Sequence, residues 1–182
     1  MRERQIIAAR LEEKSKRQNA HRQIVELFIL SSILIFGTLA FIWLVQKTPK
    51  LNIPKLYYWN ILVVTGSSMS IFLGQAAIKK NEIRKAFLLT GFGLWVGIVF
   101  GLIQLLGLEK LLTVNDAFRN ILFPFSILHF VHVVAGLILI TIVLTRIKRF
   151  QIHSKALGFA SNVFRFWHFL GIVWVVFLLF IH

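Results

Sequence analysis

The sequence predicts an all-α membrane protein, a bundle of five transmembrane helices with the N-terminus inside and the C-terminus outside. Three observations lead there. The 182 residues are 57% hydrophobic and 14% aromatic, with a mean hydropathy of +0.76, far more apolar than a soluble domain of that length. Charged residues bound apolar runs long enough to cross a hydrocarbon core of ~30 Å, which takes ~20 helical residues. Lys and Arg fall sixteen on one side of those runs and five on the other, a positive-inside signal.

Residues 1–25 read as a basic cytoplasmic tail. Ile6, Ile7, Ala8 and Leu11 among Arg, Lys and Glu suit a helix lying along the inner membrane surface. Between Leu11 and Ile24 the one apolar residue is Ala20, which suits a solvated tail equally. The five-span domain occupies 26–182. Its first span, about 27–46, lies between Glu26 and Lys47. That run is as long as a full span and starts too far into the chain for a cleaved signal peptide. "KTPKLNIPK" (47–55) holds two of the three prolines and reads as a short outer loop. The second span, about 56–78, ends at Lys79. The third, about 86–108, runs from Lys85 to Glu109, and the fourth, about 120–145, from Arg119 to Arg146. The fifth, about 160–181, carries Arg165 near its entry, where a long side chain snorkels to the headgroups. Trp43, Tyr57, Tyr58 and Trp59 lie near the outer interface and read as an aromatic belt. None of these runs alternates with period two, so a barrel is excluded.

Charge and composition exclude several function classes. The net charge of +14 follows from topology and from contact with anionic headgroups. With no soluble fold left over to shape a basic patch, nucleic acid is not a partner. The chain has no cysteine, hence no disulfide, Cys-rich zinc or iron–sulfur site, or thiolate copper site. All seven acids (Glu3, Glu12, Glu13, Glu26, Glu82, Glu109 and Asp116) fall in tails, loops or span ends. Pumps and proton-coupled transporters carry ionisable residues along a buried pathway. This chain therefore reads as the servant of a partner.

The polar groups left within the spans are few. "TGSSMS" (65–70) and the glycines Gly93, Gly97 and Gly101, recurring every fourth residue, form small-residue faces on which helix backbones approach closely. Trp167 and Trp174, seven apart, share a face that suits contact with lipid or a partner helix. His129 and His132 share one face of the fourth span, and His168 reaches a similar depth on the fifth. A single haem held by His168 with His129 or His132 is geometrically open, and would make the chain a small membrane b-type cytochrome. The pair nevertheless lacks the carboxylate partners of a di-iron bundle. The favoured reading is neutral imidazoles that hydrogen-bond between helices, because a polar group in lipid must find a partner. No catalytic residue and no metal ligand set is assigned.

The order of these motifs carries a family resemblance. "HFVHVVAGL" (129–137) resembles the His-x-x-His-Val signature of haem–copper (cytochrome c) oxidase subunit III, and "FRFWHFLGIVW" (164–174) its final-helix signature. "NILVVTGSS" (60–68) is similar to the family's asparagine-to-double-serine segment, "LLTGFGLWVGIVFGLIQ" (88–104) to its Thr, Gly and Gln helix, and "FILSSILIF" (28–36) to the helix before them. The set covers all five spans in family order and resembles a divergent five-helix bacterial form. There are departures: Ser32 stands where the family has a buried glutamate, Gly107 where it has an acid (Glu109 lies two residues on), and Gly171 where it has an aspartate.

The resemblance implies a non-catalytic accessory subunit of a respiratory terminal oxidase in a bacterial inner (plasma) membrane. It would stabilise the catalytic subunit and bind phospholipid between helix groups. Its partners would be catalytic subunit I, subunit II, phospholipids and a respiratory supercomplex, with the haems and copper held by the partner subunits. The helix-packing signature residues would be Asn60, Ser67, Ser68, Gln104, His129, His132, Trp167, His168 and Trp174, and lipid contact would fall to Arg165, Trp167 and His168. A subunit III-like accessory protein of nitric oxide reductase is the neighbouring reading. The lost acids put any carboxylate-dependent proton role in doubt.

Overall fold

The computed structural model describes residues 2–45, 55–113, 119–152 and 157–181. It consists of helices α1 (Arg2–Val45), α2 (Lys55–Lys79), α3 (Ile83–Thr113), α4 (Arg119–Lys148) and α5 (Gly158–Ile181). Each contains a stretch long and apolar enough to cross a membrane: Val25–Ile42, Tyr58–Lys79, Ile83–Glu109, Phe123–Lys148 and Gly158–Leu179. The "KTPKLNIPK" loop up to Pro54, Asp116 and the side chains of Trp43 and Tyr57 lie outside the described residues; Tyr58 and Trp59 are exposed.

Packing between neighbours defines the architecture. α2 packs on α3, α3 on α4, α4 on α5, and α5 back on α2, which closes a ring of four. α1 lies outside that ring against α5 and α4. α5 therefore touches three neighbours, and its span is the most enclosed of the five.

The helix ends have local causes. α2 stops at a turn in which Glu82 N donates to Ala77 O and Asn81 N to Ile78 O, with Asn81 at φ 58°. Such a left-handed residue closes a helix by capping its last carbonyls. α4 ends the same way, through Gln151 N to Arg146 O and Phe150 N to Ile147 O, with Phe150 at φ 55°. Beside the first turn, Glu82 accepts a hydrogen bond from Lys85 at 2.9 Å, and that bond and charge hold its pKa below the ordinary value. Pro124 sits in the second turn of α4, where little helix precedes it to disrupt.

α1 is longer than its span requires. Its 44 residues extend about 66 Å, roughly twice the hydrocarbon thickness. No proline or glycine occurs from Arg2 to Phe36, and an exposed Glu12–Lys16 pair at 2.8 Å supports one turn of the early segment. The basic segment thus continues the first span as an uninterrupted helix.

Candidate functional site

Trp167 lies where the four ring helices meet. Its indole is 1% exposed. Two glycines make room for it: a Cβ on Gly97 of α3 would stand 2.8 Å from Cζ2, and one on Gly136 of α4 3.0 Å from Cε3. Its Nε1–H donates to Ser67 Oγ of α2 at 3.2 Å, and Ser67 in turn donates to Gly93 O of α3 at 2.7 Å. One side chain of α5 thereby joins α2, α3 and α4. A parallel contact, Ser70 Oγ to Leu89 O at 2.7 Å, tightens the α2–α3 seam. There the glycines let the helices close up, since a Cβ on Gly93 would meet Ile71 Cγ1 at 2.6 Å. The glycine face of α3 serves three neighbours, with Gly93 against α2, Gly97 against α5 and Gly101 against Val133 and Leu137 of α4.

Trp174, one face-repeat along α5, is fully buried and stacks on His129 with ring centroids 5.0 Å apart at 20°. Both tryptophans share one face, as their spacing requires, and that face points into the bundle. The lipid contact expected of Trp167 is therefore corrected: α5 has neighbours on three sides, which leaves Ile172 and Leu179, not the tryptophans, to face outward.

The two histidines of α4 occupy different settings. His129 is enclosed by Trp174, Phe36, Phe100 and Phe125, and neither ring nitrogen has a hydrogen-bond partner among the described residues. His132 is tied at both ends. Its Nδ1 lies 2.6 Å from Leu128 O and its Nε2 3.2 Å from Ser32 Oγ of α1. A carbonyl only accepts, so Nδ1 carries the hydrogen, and in the neutral ring Nε2 accepts from the Ser32 hydroxyl. That hydroxyl also lies 2.8 Å from Phe28 O. Its single hydrogen thus serves two acceptors, a competition that weakens each bond.

His168 belongs elsewhere. With Val64, Thr65, Ser68, Gly171, Ile172, Val175 and Val176 it lines a groove of about 330 Å³ between α2 and α5. A Cβ on Gly171 would meet Ser68 Oγ and Val64 Cγ2 at 3.4 Å, so the glycine leaves that floor open. The aromatic ring around His129 draws on α1, α3, α4 and α5 without His168. The two rings that a haem would have to bridge therefore open onto separate surroundings. Among the described residues no group of three or more His, Cys, Asp or Glu converges. Arg165 is exposed on α5.

The remaining signature residues are buried. Asn60 and Gln104 are each 1% exposed, and Gln104 Nε2 donates to Ser126 O at 3.4 Å, across the α3–α4 seam. A second groove, of about 410 Å³, runs between α1, α4 and α5 and is lined by Val25, Phe28, Ala135, Ile138, Leu139, Phe159 and Phe166. At its Phe159 end the Arg146 guanidinium lies 4.3 Å from the ring centroid, a cation–π contact. Sequence reasoning had counted Arg146 for topology alone. The signal it missed is a lone aromatic at the second residue of α5, opposite the basic last turn of α4.

No protein-family model matches this chain. Curated proteins do. The chain is 30% identical over 158 residues to cytochrome c oxidase subunit 3 of Synechocystis sp., covering 81% of this chain and 64% of that protein. It is 24% identical over 169 residues to cytochrome bo(3) ubiquinol oxidase subunit 3 of Buchnera aphidicola subsp. Baizongia pistaciae, covering 86% of this chain and 87% of that protein. The match thus spans less than two thirds of the Synechocystis relative and most of the Buchnera one. Both relatives are named as an oxidase subunit 3, in line with the resemblance carried by the motif order.

Proposed function

We propose that this chain, a homologue of oxidase subunit III at modest identity, is a non-catalytic accessory subunit of a respiratory haem–copper terminal oxidase. The observation that carries the reading is the use to which its polar side chains are put. Ser67, Ser70, Gln104, His132 and Trp167 are engaged in tying helices to one another. None of the described carboxylates lies inside the bundle. A chain built this way has a rigid interior and offers its chemistry, if any, through a partner.

The apolar outer faces suit two kinds of neighbour, catalytic subunits and lipid. For lipid, the groove between α1, α4 and α5 combines an apolar wall with a cation at its Phe159 end, which matches an acyl chain below an anionic headgroup. Arg165, exposed at the second turn of α5, is a further headgroup contact, and His168 lies in the groove beside Ser68. On this reading the N-terminus faces the cytoplasm of a bacterial cell, in line with the excess of Lys and Arg on that side. The chain contributes stability and working life to the enzyme, while haems and copper reside in subunits I and II. A respiratory supercomplex is a further setting for the same assembly.

Purification in mild detergent, followed by an optical spectrum, tests this. The expected result is co-purification with a large haem-bearing subunit, with no Soret band in this chain when it is isolated. Deletion of the gene should leave haem content and initial turnover of the oxidase intact and shorten its active lifetime. A Soret band in the isolated chain, lost in His129→Ala, would overturn the reading in favour of a cytochrome. A nitric oxide reductase as the co-purifying enzyme would keep the accessory role and change the substrate of the complex.

A further inference from the structure

Four polar atoms at the α3–α4 seam are buried without a protein partner. Gln104 Oε1, Ser126 Oγ and both ring nitrogens of His129 have none among the described residues. Each of the three side chains is enclosed, at 1%, 1% and 0% exposure. Ser126 and His129 stand one turn apart on the same face of α4, with Cβ atoms about 5–6 Å apart. Gln104 faces them from α3, because its amide nitrogen reaches Ser126 O and Phe100, one turn before it, meets the His129 ring edge-on. The direct link between the helices here is long, at 3.4 Å.

The donor and acceptor types restrict what fits. The amide oxygen only accepts, the hydroxyl both donates and accepts, and a neutral imidazole has one donor and one acceptor nitrogen. A ligand satisfying all of them must itself donate and accept, and must be small, because Phe36, Phe125 and Trp174 complete the walls. No charged side chain is among these groups, so an ion has no counter-charge. We propose that Gln104, Ser126 and His129 form an internal hydration site that holds one or two water molecules and bridges α3 to α4. Buried water ordinarily makes about three hydrogen bonds, and occurs about once per 27 residues. In a bilayer no outside solvent can substitute for it. The site does not depend on which complex the chain serves.

Radiolytic hydroxyl labelling of the full chain in nanodiscs, read by mass spectrometry, tests the site. Water held there generates radicals in place, so Phe100, Phe125 and Trp174 should be oxidised although they are enclosed, with exposed Phe150 as the positive control. In a Gln104→Leu/Ser126→Ala double variant that labelling should fall several-fold while Phe150 is unchanged. Thermal unfolding supplies an independent sign. Each single substitution should lower Tm by about 2–4 °C, and the pair should lower it by less than the sum, because both act on the same water. Unlabelled rings in the wild-type chain would overturn the proposal. So would a Tm that is unchanged or raised in both single variants, the outcome expected when an unpaired buried polar group is removed.

Discussion

Ser32 Oγ lies 3.2 Å from His132 Nε2 and joins α1 to the ring of four helices at a buried point. The resemblance marks Ser32 as the place of a glutamate. Here an uncharged hydroxyl stands at that position and meets the histidine. α1 otherwise meets α4 and α5 through apolar and aromatic surfaces such as Phe28 on Phe166 and Phe36 on Phe125.

Ser32→Ala should therefore loosen α1 without unfolding the ring. It leaves Nε2 of His132 buried and unpaired, at a cost of about 1–3 kcal/mol, while Phe28 O keeps the hydroxyl of Ser31 as a donor. Differential scanning fluorimetry in detergent, with limited proteolysis ahead of α2, would show lower thermal stability and faster release of α1. Equal protection of α1 in both proteins would contradict the role given to this bond.

Gly97→Ala should be costlier than a surface Gly→Ala change. The new methyl would stand 2.8 Å and 2.9 Å from two Trp167 ring atoms and 3.1 Å from Leu137 Cδ2, an overpacking worth about 1–3 kcal/mol. Trp167→Phe alone leaves a void and deprives Ser67 of a donor. Combined, the two changes should destabilise by less than their sum, and a double-mutant cycle on Tm measures that coupling. Strict additivity would show that the indole does not press on Gly97.

Phe150→Gly should raise stability. Phe150 closes α4 at φ 55° and is 74% exposed, so it bears left-handed strain of about 1–2 kcal/mol with little packing in return. Asn81→Gly should gain less, since asparagine tolerates that conformation. Thermal midpoints of the two variants, compared in the same detergent, check the order.

Arg146→Gln should lower retention of anionic phospholipid roughly fivefold, the equivalent of about 1 kcal/mol for one basic residue near a charged surface. If the chain serves an oxidase as proposed, initial turnover of that enzyme should not change. Native mass spectrometry after delipidation and back-titration reads the difference; unchanged lipid counts would remove the Phe159 end of the α1–α4–α5 groove from the lipid reading.

Much of the chain was legible because a bilayer is a simple solvent. Charge in hydrocarbon is costly, so apolar runs delimited by charges such as Glu26, Lys79, Glu109 and Arg146 stand out in the sequence, and the described residues of each fall within one helix. Helical spacing likewise places Trp167 with Trp174, Gly93 with Gly97 and Gly101, and His129 with His132 on common faces. The family order of the motifs was legible too, as a linear property of the chain.

Which face points where could not be read this way. In a lipid solvent an apolar residue is equally at home inside or outside, so hydropathy does not say that Trp167 turns inward while Trp95 and Ile172 turn outward. That was decided by packing: the ring closes only where Gly97 and Gly136 clear space for one indole. The same closure gave the three histidines separate settings, His132 on Ser32, His129 among aromatic rings and His168 in the α2–α5 groove. The sequence alone determined how many stretches are long and apolar enough to cross a membrane, because that follows from the cost of charge in hydrocarbon. Tertiary structure alone decided what each polar side chain meets, because hydrogen bonds and close packing depend on neighbours brought from distant parts of the chain.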